Sequence, residues 1–169
     1  MSFVLSDRVK WLLALIKLSG GYVEGATRLQ KLTFLVSQEV KELKEFNFYK
    51  DWVAGKYGPF SKNLSDDVSQ AIADKIIWKG SVKNDAGYPV DHFSLTDTGV
   101  KVADETVNQY PKIKSKVEDI VKLYAKSALM SLLHDVYYQY PQYTSESAIK
   151  GSVAGKTGFT DTPLDPSFG

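Results

Sequence analysis

The sequence predicts a mainly α domain with a small β-hairpin, in which a winged helix-turn-helix core is followed by further helices. Three observations carry this expectation. Apolar residues recur at three- and four-residue steps in several separate stretches, which is the period of an amphipathic helix. Two stretches of strand character, residues 76–83 and 88–95, flank the turn Asn84-Asp85-Ala86-Gly87, as in a hairpin with glycine in its turn. That hairpin directly follows the third predicted helix, so the order helix, helix, helix, hairpin puts this helix where a winged helix has its recognition helix.

The first helix is expected over residues 7–18. Ser6 stands before Asp7 as a cap, and Val9, Leu12, Leu13 and Ile16 fall at helical spacing ahead of Gly20 and Gly21. The second is expected over residues 26–44 on Leu29, Leu32, Val36, Val40 and Leu43, with Lys31, Gln38 and Lys41 on its other face. Phe46 and Phe48 alternate with polar neighbours before Trp52 and Val53, which predicts an extended segment over residues 46–54. A turn at residues 55–59 follows, and Ser61 caps a third helix to residue 76 whose buried stripe is Leu64, Val68, Ala71, Ile72 and Ile76.

After the hairpin, Thr96 opens a fourth helix through residue 107, and Pro111 ends it because its ring clashes with the preceding turn. Ile113, Val117, Ile120, Val121 and Tyr124 make a fifth. Ser127 caps a sixth on Leu129, Leu132, Leu133, Val136 and Tyr137, which stops before Pro141; residues 144–150 are a candidate for one more turn. From Gly151 onward, Gly, Ser, Thr and Pro with few apolar anchors read as a flexible tail. The expected division is therefore a winged-helix domain with a helical extension over residues 1–150 and a tail over 151–169.

A chain of 169 residues can bury one good core, and one domain is expected. Lys and Arg total 21 against 20 acids, so no global field holds a polyanion or an anionic membrane, and nucleic-acid binding would need a local patch. Arg8 and Arg28 are the only arginines, which leaves few planar forks for phosphate or guanine. The absence of cysteine excludes disulfides, thiolate zinc sites, iron–sulfur clusters and a cysteine nucleophile, and it fits a reducing cytoplasm. The apolar stretch from Trp11 to Ile16 is far shorter than the roughly 20 residues that cross a bilayer. It reads as a core helix, with no secretory signal before it.

Several motifs are weighed against plainer readings. Gly151-Ser152-Val153-Ala154-Gly155-Lys156-Thr157 looks like a phosphate loop, but its spacer is three residues, Lys150 stands where glycine should, and a Pro-containing tail follows. It is rejected. His92 and His134 have no second ligand at metal spacing, and His92 belongs to the outward set of the second hairpin strand. No nucleophile-elbow sequence is present, and neither an enzyme nor a cofactor is expected. The exposed side of the third helix, with Lys62, Asn63, Asp66, Asp67, Gln70 and Asp74, carries more acid than base and would be repelled by phosphates in a groove. Docking on DNA would need compensation from Arg28, Lys31, Lys79 or Lys83. The fifth helix's Lys112, Lys114, Lys116, Lys122 and Lys126 read as a solvated face. Tyrosines crowd the last ordered region, and Tyr138, Tyr140 and Tyr143 are candidate interface residues beside a core role for others.

Three segments agree in order and spacing with a known group: Arg28-Leu29-Gln30-Lys31-Leu32-Thr33-Phe34-Leu35, Tyr57-Gly58-Pro59-Phe60-Ser61 and Leu95-Thr96-Asp97-Thr98-Gly99. Together with Tyr140-Pro141-Gln142-Tyr143-Thr144 they resemble the YwgA-like and SocA-like (Panacea) prokaryotic domains over residues 6–150. The resemblance implies a winged-helix-like fold without catalytic residues, found in antitoxins or adaptors that hold a toxin or deliver it to a protease. It transfers no agreed active site. The motif residues also have structural roles: Leu29, Leu32 and Leu35 are expected in the core, Gly58 in a conformation that a side chain forbids, and Pro59 at the approach to the third helix. Arg28 and Lys31 are the motif positions with charge to spare.

The expected function is that of a non-enzymatic, antitoxin-like adaptor or regulator in the cytoplasm. It would bind a protein through the third helix, the turn with Tyr57 and Phe60, and the hairpin with Lys79, Lys83 and His92. A dimeric DNA-binding regulator using Arg28, Lys31, Lys62 and Lys83 on phosphates is the first rival. An accessory subunit that docks through the exposed tyrosines is the second. No membrane contact is expected.

Overall fold

The computed structural model describes residues 5–144, and the predicted turn over 144–150 and the tail over 151–169 lie outside the described residues, save Thr144 itself. The chain runs α1 (Asp7–Leu18), β1 (Tyr22–Glu24), α2 (Ala26–Glu39), a 3-10 segment (Lys41–Phe46), β2 (Trp52–Gly55), β3 (Gly58–Ser61) and α3 (Lys62–Ala73). The hairpin β4 (Ile77–Lys83) and β5 (Pro89–Leu95) follows, then α4 (Asp97–Gln109), α5 (Pro111–Tyr124), α6 (Leu129–Gln139) and a 3-10 turn (Pro141–Tyr143). The protein is mainly helical with small antiparallel sheets, as the sequence predicts.

Helix α1 begins where Ser6 accepts the Val9 amide, and Trp11 to Ile16 are buried without a break. A helix apolar on all sides must be enclosed, and α1 is packed by α4, α5, β1 and β5. Helix α2 ends at Glu39, earlier than the predicted 44, and the chain tightens into the 3-10 segment that Asn47 closes in the left-handed region at φ 52°. The stripe through Val40 and Leu43 continues across the junction, because three- and four-residue steps do not separate an α turn from a 3-10 turn. The extended segment starts only at Trp52, a correction to the predicted 46–54. Its partner is β3, where a turn was expected, with Val53 opposite Phe60 and Trp52 opposite Ser61.

Ser61 caps α3 by accepting the Leu64 amide. Each hairpin strand begins one residue later than predicted and ends where predicted, and the Asn84 carboxamide oxygen closes the turn by accepting the amides of Ala86 and Tyr88. Strand β1 pairs with β5 through Val23 and Phe93, giving a three-stranded sheet in the order β1-β5-β4. Thr96 caps α4 through the Gly99 amide, and Pro111 opens α5 rather than merely ending α4. Ser127 does not cap α6: its hydroxyl donates to the Tyr124 carbonyl, and Ala128 precedes the helix. One apolar cluster runs from α1 to α6, so the later helices share the core of the earlier elements.

Candidate functional site

Two neighbouring residues of α2 build the site. The Gln30 carboxamide donates to the Ser61 carbonyl at 3.0 Å and accepts the Ser61 amide at 2.9 Å. Lys31 donates from Nζ to the Pro59 carbonyl at 2.9 Å. Together they fix β3 against α2 by its backbone, which leaves the side chains around it free to shape a surface. Gly58 sits at φ 98°, and a Cβ there would come within 2.6 Å of Tyr137 Cε1. The residue is glycine on both counts, conformation and close approach.

Between α2, residues 56–60, α3 and one face of the hairpin lies a cleft of about 410 Å³. Its wall is largely apolar, from Leu29, Leu64, Val68, Ile72 and Phe93, with Ser65 and Ser69 of α3 one turn apart. Among the described residues, Lys31, Lys56 and Lys79 line it together with one acid, Asp91. At the rim Phe60 is 39% exposed, and its cross-strand partner Val53 is 58% exposed, so an apolar lip continues outward over the β2–β3 ribbon. Compared with family models and with curated proteins, the chain matches none.

The sequence-predicted residues are divided by this geometry. Tyr57, Phe60 and Lys79 meet in the cleft. Lys31 meets them there too, but it is 3% exposed and its ammonium is pushed down to about 7 by burial, so it is not a cation with charge to spare. Arg28 is likewise corrected: its guanidinium donates to the Tyr124 carbonyl at 3.0 Å beside the α5–α6 junction, and burial lowers its pKa. Periodicity put Lys31 on an outer face because it registers one stripe, whereas α2 is covered on more than one side.

Helix α3 is also less open than predicted. Asp67 takes both Arg8 Nε and Nη2, at 2.8 and 3.2 Å, and the Tyr49 hydroxyl at 2.8 Å. It fastens α3 to α1 rather than facing a groove. Bonding to Asp67 raises the Arg8 pKa against the cost of burial, while burial and the same carboxylate push the Tyr49 phenol up. Asp51 supports the start of α3 by accepting the Ser61 hydroxyl at 2.5 Å and the Asn63 amide at 2.9 Å; burial works against its charge, yet these bonds hold its pKa below the ordinary value. On the solvent side Lys62 pairs with Asp66, and Gln70 donates to Asp74, each one turn along.

The remaining candidates lie apart. Lys83 ends β4 opposite Pro89, far along the hairpin from Lys79. His92 alternates with Phe93 and so points to the other face of the sheet, where its ring stacks on Tyr22 at 4.7 Å. It is half-buried, not the exposed polar position expected. Tyr138 is 81% exposed, but Tyr140 and Tyr143 set their rings edge-on to Phe34 at 4.9 and 5.0 Å. Both are half-buried and pack against the core through these contacts. Gln30, Ser65, Ser69 and Asp91 escaped sequence reasoning, since only the fold brings α2, α3 and β5 to one cleft; the serines at i and i+4 were the one legible signal.

Proposed function

We propose that this chain is a non-enzymatic winged-helix adaptor or regulator, antitoxin-like in type, that binds a protein through the face where α3, residues 57–61 and the hairpin meet. The observation that carries this is the apolar cleft itself, bordered by all three elements and lipped by Phe60 and Val53. Exposed aromatic and aliphatic groups around a preformed concavity suit a protein contact, which gains most from a few deeply seated anchors. The order α1-β1-α2-β2-β3-α3-β4-β5, in which the β2–β3 ribbon is inserted between α2 and α3, and the sheet order β1-β5-β4 suit a winged helix. The resemblance to the YwgA-like and SocA-like domains supports the adaptor type, and the absence of cysteine fits a cytoplasmic location. Among the described residues no helix is long and apolar enough to cross a membrane.

A phosphate grip by the rival set is disfavoured by where its members lie. Arg28 and Lys31 are withdrawn into the protein and Lys62 is paired with Asp66; outside that set, Arg8 is held by Asp67. Of that set Lys83 remains, at the far end of the hairpin, and affinity from counterion release grows with the number of phosphates neutralised.

A photo-reactive residue installed at Phe60 tests the proposal in the native cell, with the same residue at Leu123 as the control. Protein adducts specific to position 60, lost when Val53→Asp is added, are expected. Absence of protein adducts, together with a shift of duplex DNA by the purified chain at physiological salt, would overturn it.

A further inference from the structure

The cleft has a second property, independent of any protein partner. We propose that it binds a small carboxylate with an apolar body, the carboxylate held by Lys31 and the body lying against Leu29, Leu64, Val68 and Phe93. Its volume of about 410 Å³ falls in the range of small-ligand sites, which are mainly apolar with a few convergent polar groups.

The donor inventory favours an acid. A lysine ammonium carries three N–H donors, and among the described residues Lys31 reaches one acceptor, the Pro59 carbonyl. Among the described residues no carboxylate is paired with it, and burial displaces its pKa downward. A buried cation without a counter-ion is costly, and an arriving carboxylate supplies both the charge and the missing acceptors. Lys79 of the hairpin also lines the cleft, and among the described residues Asp91 is the one acid in that lining.

The same inventory argues against a phosphate. Both arginines are engaged elsewhere, and the first amides of α3 are already taken by Asp51 and Ser61. One buried amine beside an apolar wall matches a monoanion with a hydrocarbon body, not a dianion that needs several donors. The end of a peptide chain offers the same chemistry as a free acid, and the probes below separate the two.

Isothermal titration of the whole chain at pH 6.5 with octanoate and with octanamide, and with acetyl-Ala-Leu-Leu as acid and as amide, tests the site. Each acid that binds should do so about tenfold or more tightly than its amide, the strength of a charge-assisted hydrogen bond. Octanoate binding assigns a free acid, and binding of the tripeptide acid alone assigns a chain end. In Lys31→Met, which keeps the apolar stem, the acid-over-amide preference should vanish, while Ser69→Trp, placed at the exposed mouth, should weaken acid and amide together. Circular dichroism and thermal unfolding verify that both variants are folded. Equal binding of acid and amide to the wild type, or saturable binding of neither pair, overturns the inference, as does an acid preference that survives in folded Lys31→Met.

Discussion

Lys31 is 3% exposed with a backbone carbonyl as its hydrogen-bond partner, so the folded chain resists the charged amine. Burial takes its pKa from an ordinary 10.5 to about 7. The unfolded chain keeps the proton up to the higher value, so between these two values it binds more protons than the folded chain does. Stability from this group therefore rises with pH across that window, by at most about 1.4 kcal/mol per pH unit, and the whole penalty is present below pH 7. Replacing the amine in Lys31→Met should stabilise the protein at pH 6 by on the order of 1–3 kcal/mol, net of the lost hydrogen bond. The advantage should shrink as urea unfolding is repeated up to pH 10; a variant less stable than the wild type at pH 6 would refute the account. None of this was legible in the sequence. A lysine opposite Leu29 and Leu32 on a helical wheel reads as solvated until β3 is known to lie across that side.

At the scale of elements, α3 is attached at its start by Asp51 and Ser61 and along its length by Asp67. Asp67→Ala would strand the Arg8 guanidinium and the Tyr49 hydroxyl, both partly withdrawn from water, and should cost about 1–3 kcal/mol in chemical denaturation. A cycle with Arg8→Ala should show coupling between the two sites; strictly additive losses would mean the clasp contributes little. The elements legible in the sequence are those specified locally. Ser6, Ser61 and Thr96 cap their helices as predicted, and Asn84 with Gly87 fixes the hairpin turn. Strand β1 was missed because its three residues owe their conformation to β5, some 70 positions away, whose pattern gives no local sign of the pairing. The ribbon β2–β3 was read as an extended piece and a turn for the same reason. Part of the site followed from sequence, namely Lys31, Tyr57, Phe60 and Lys79, while Gln30 and Asp91 depend on contacts between elements distant in the chain.

For the molecule as a whole, Phe34 is the hub at which β2 and the last 3-10 turn reach α2. Trp52, Tyr140 and Tyr143 all stand edge-on to its ring within 5.2 Å. Phe34→Ala should open a cavity beneath three aromatic rings and lower stability by about 3–5 kcal/mol, with Tyr140→Ala costing less because that ring is only half-buried. Thermal unfolding of the two variants gives the order, and a larger loss for Tyr140→Ala would place the hub elsewhere. The fused core has a mechanical consequence through the contact between Arg8 and Asp67. Load applied to α3 passes through this contact into α1, whose residues Trp11 to Ile16 are buried in the core. A surface braced in this way cannot remould itself around what it meets. Association on it should resemble a key meeting a lock already cut, with a heat-capacity change set by the contact area alone and no extra contribution from ordering the chain.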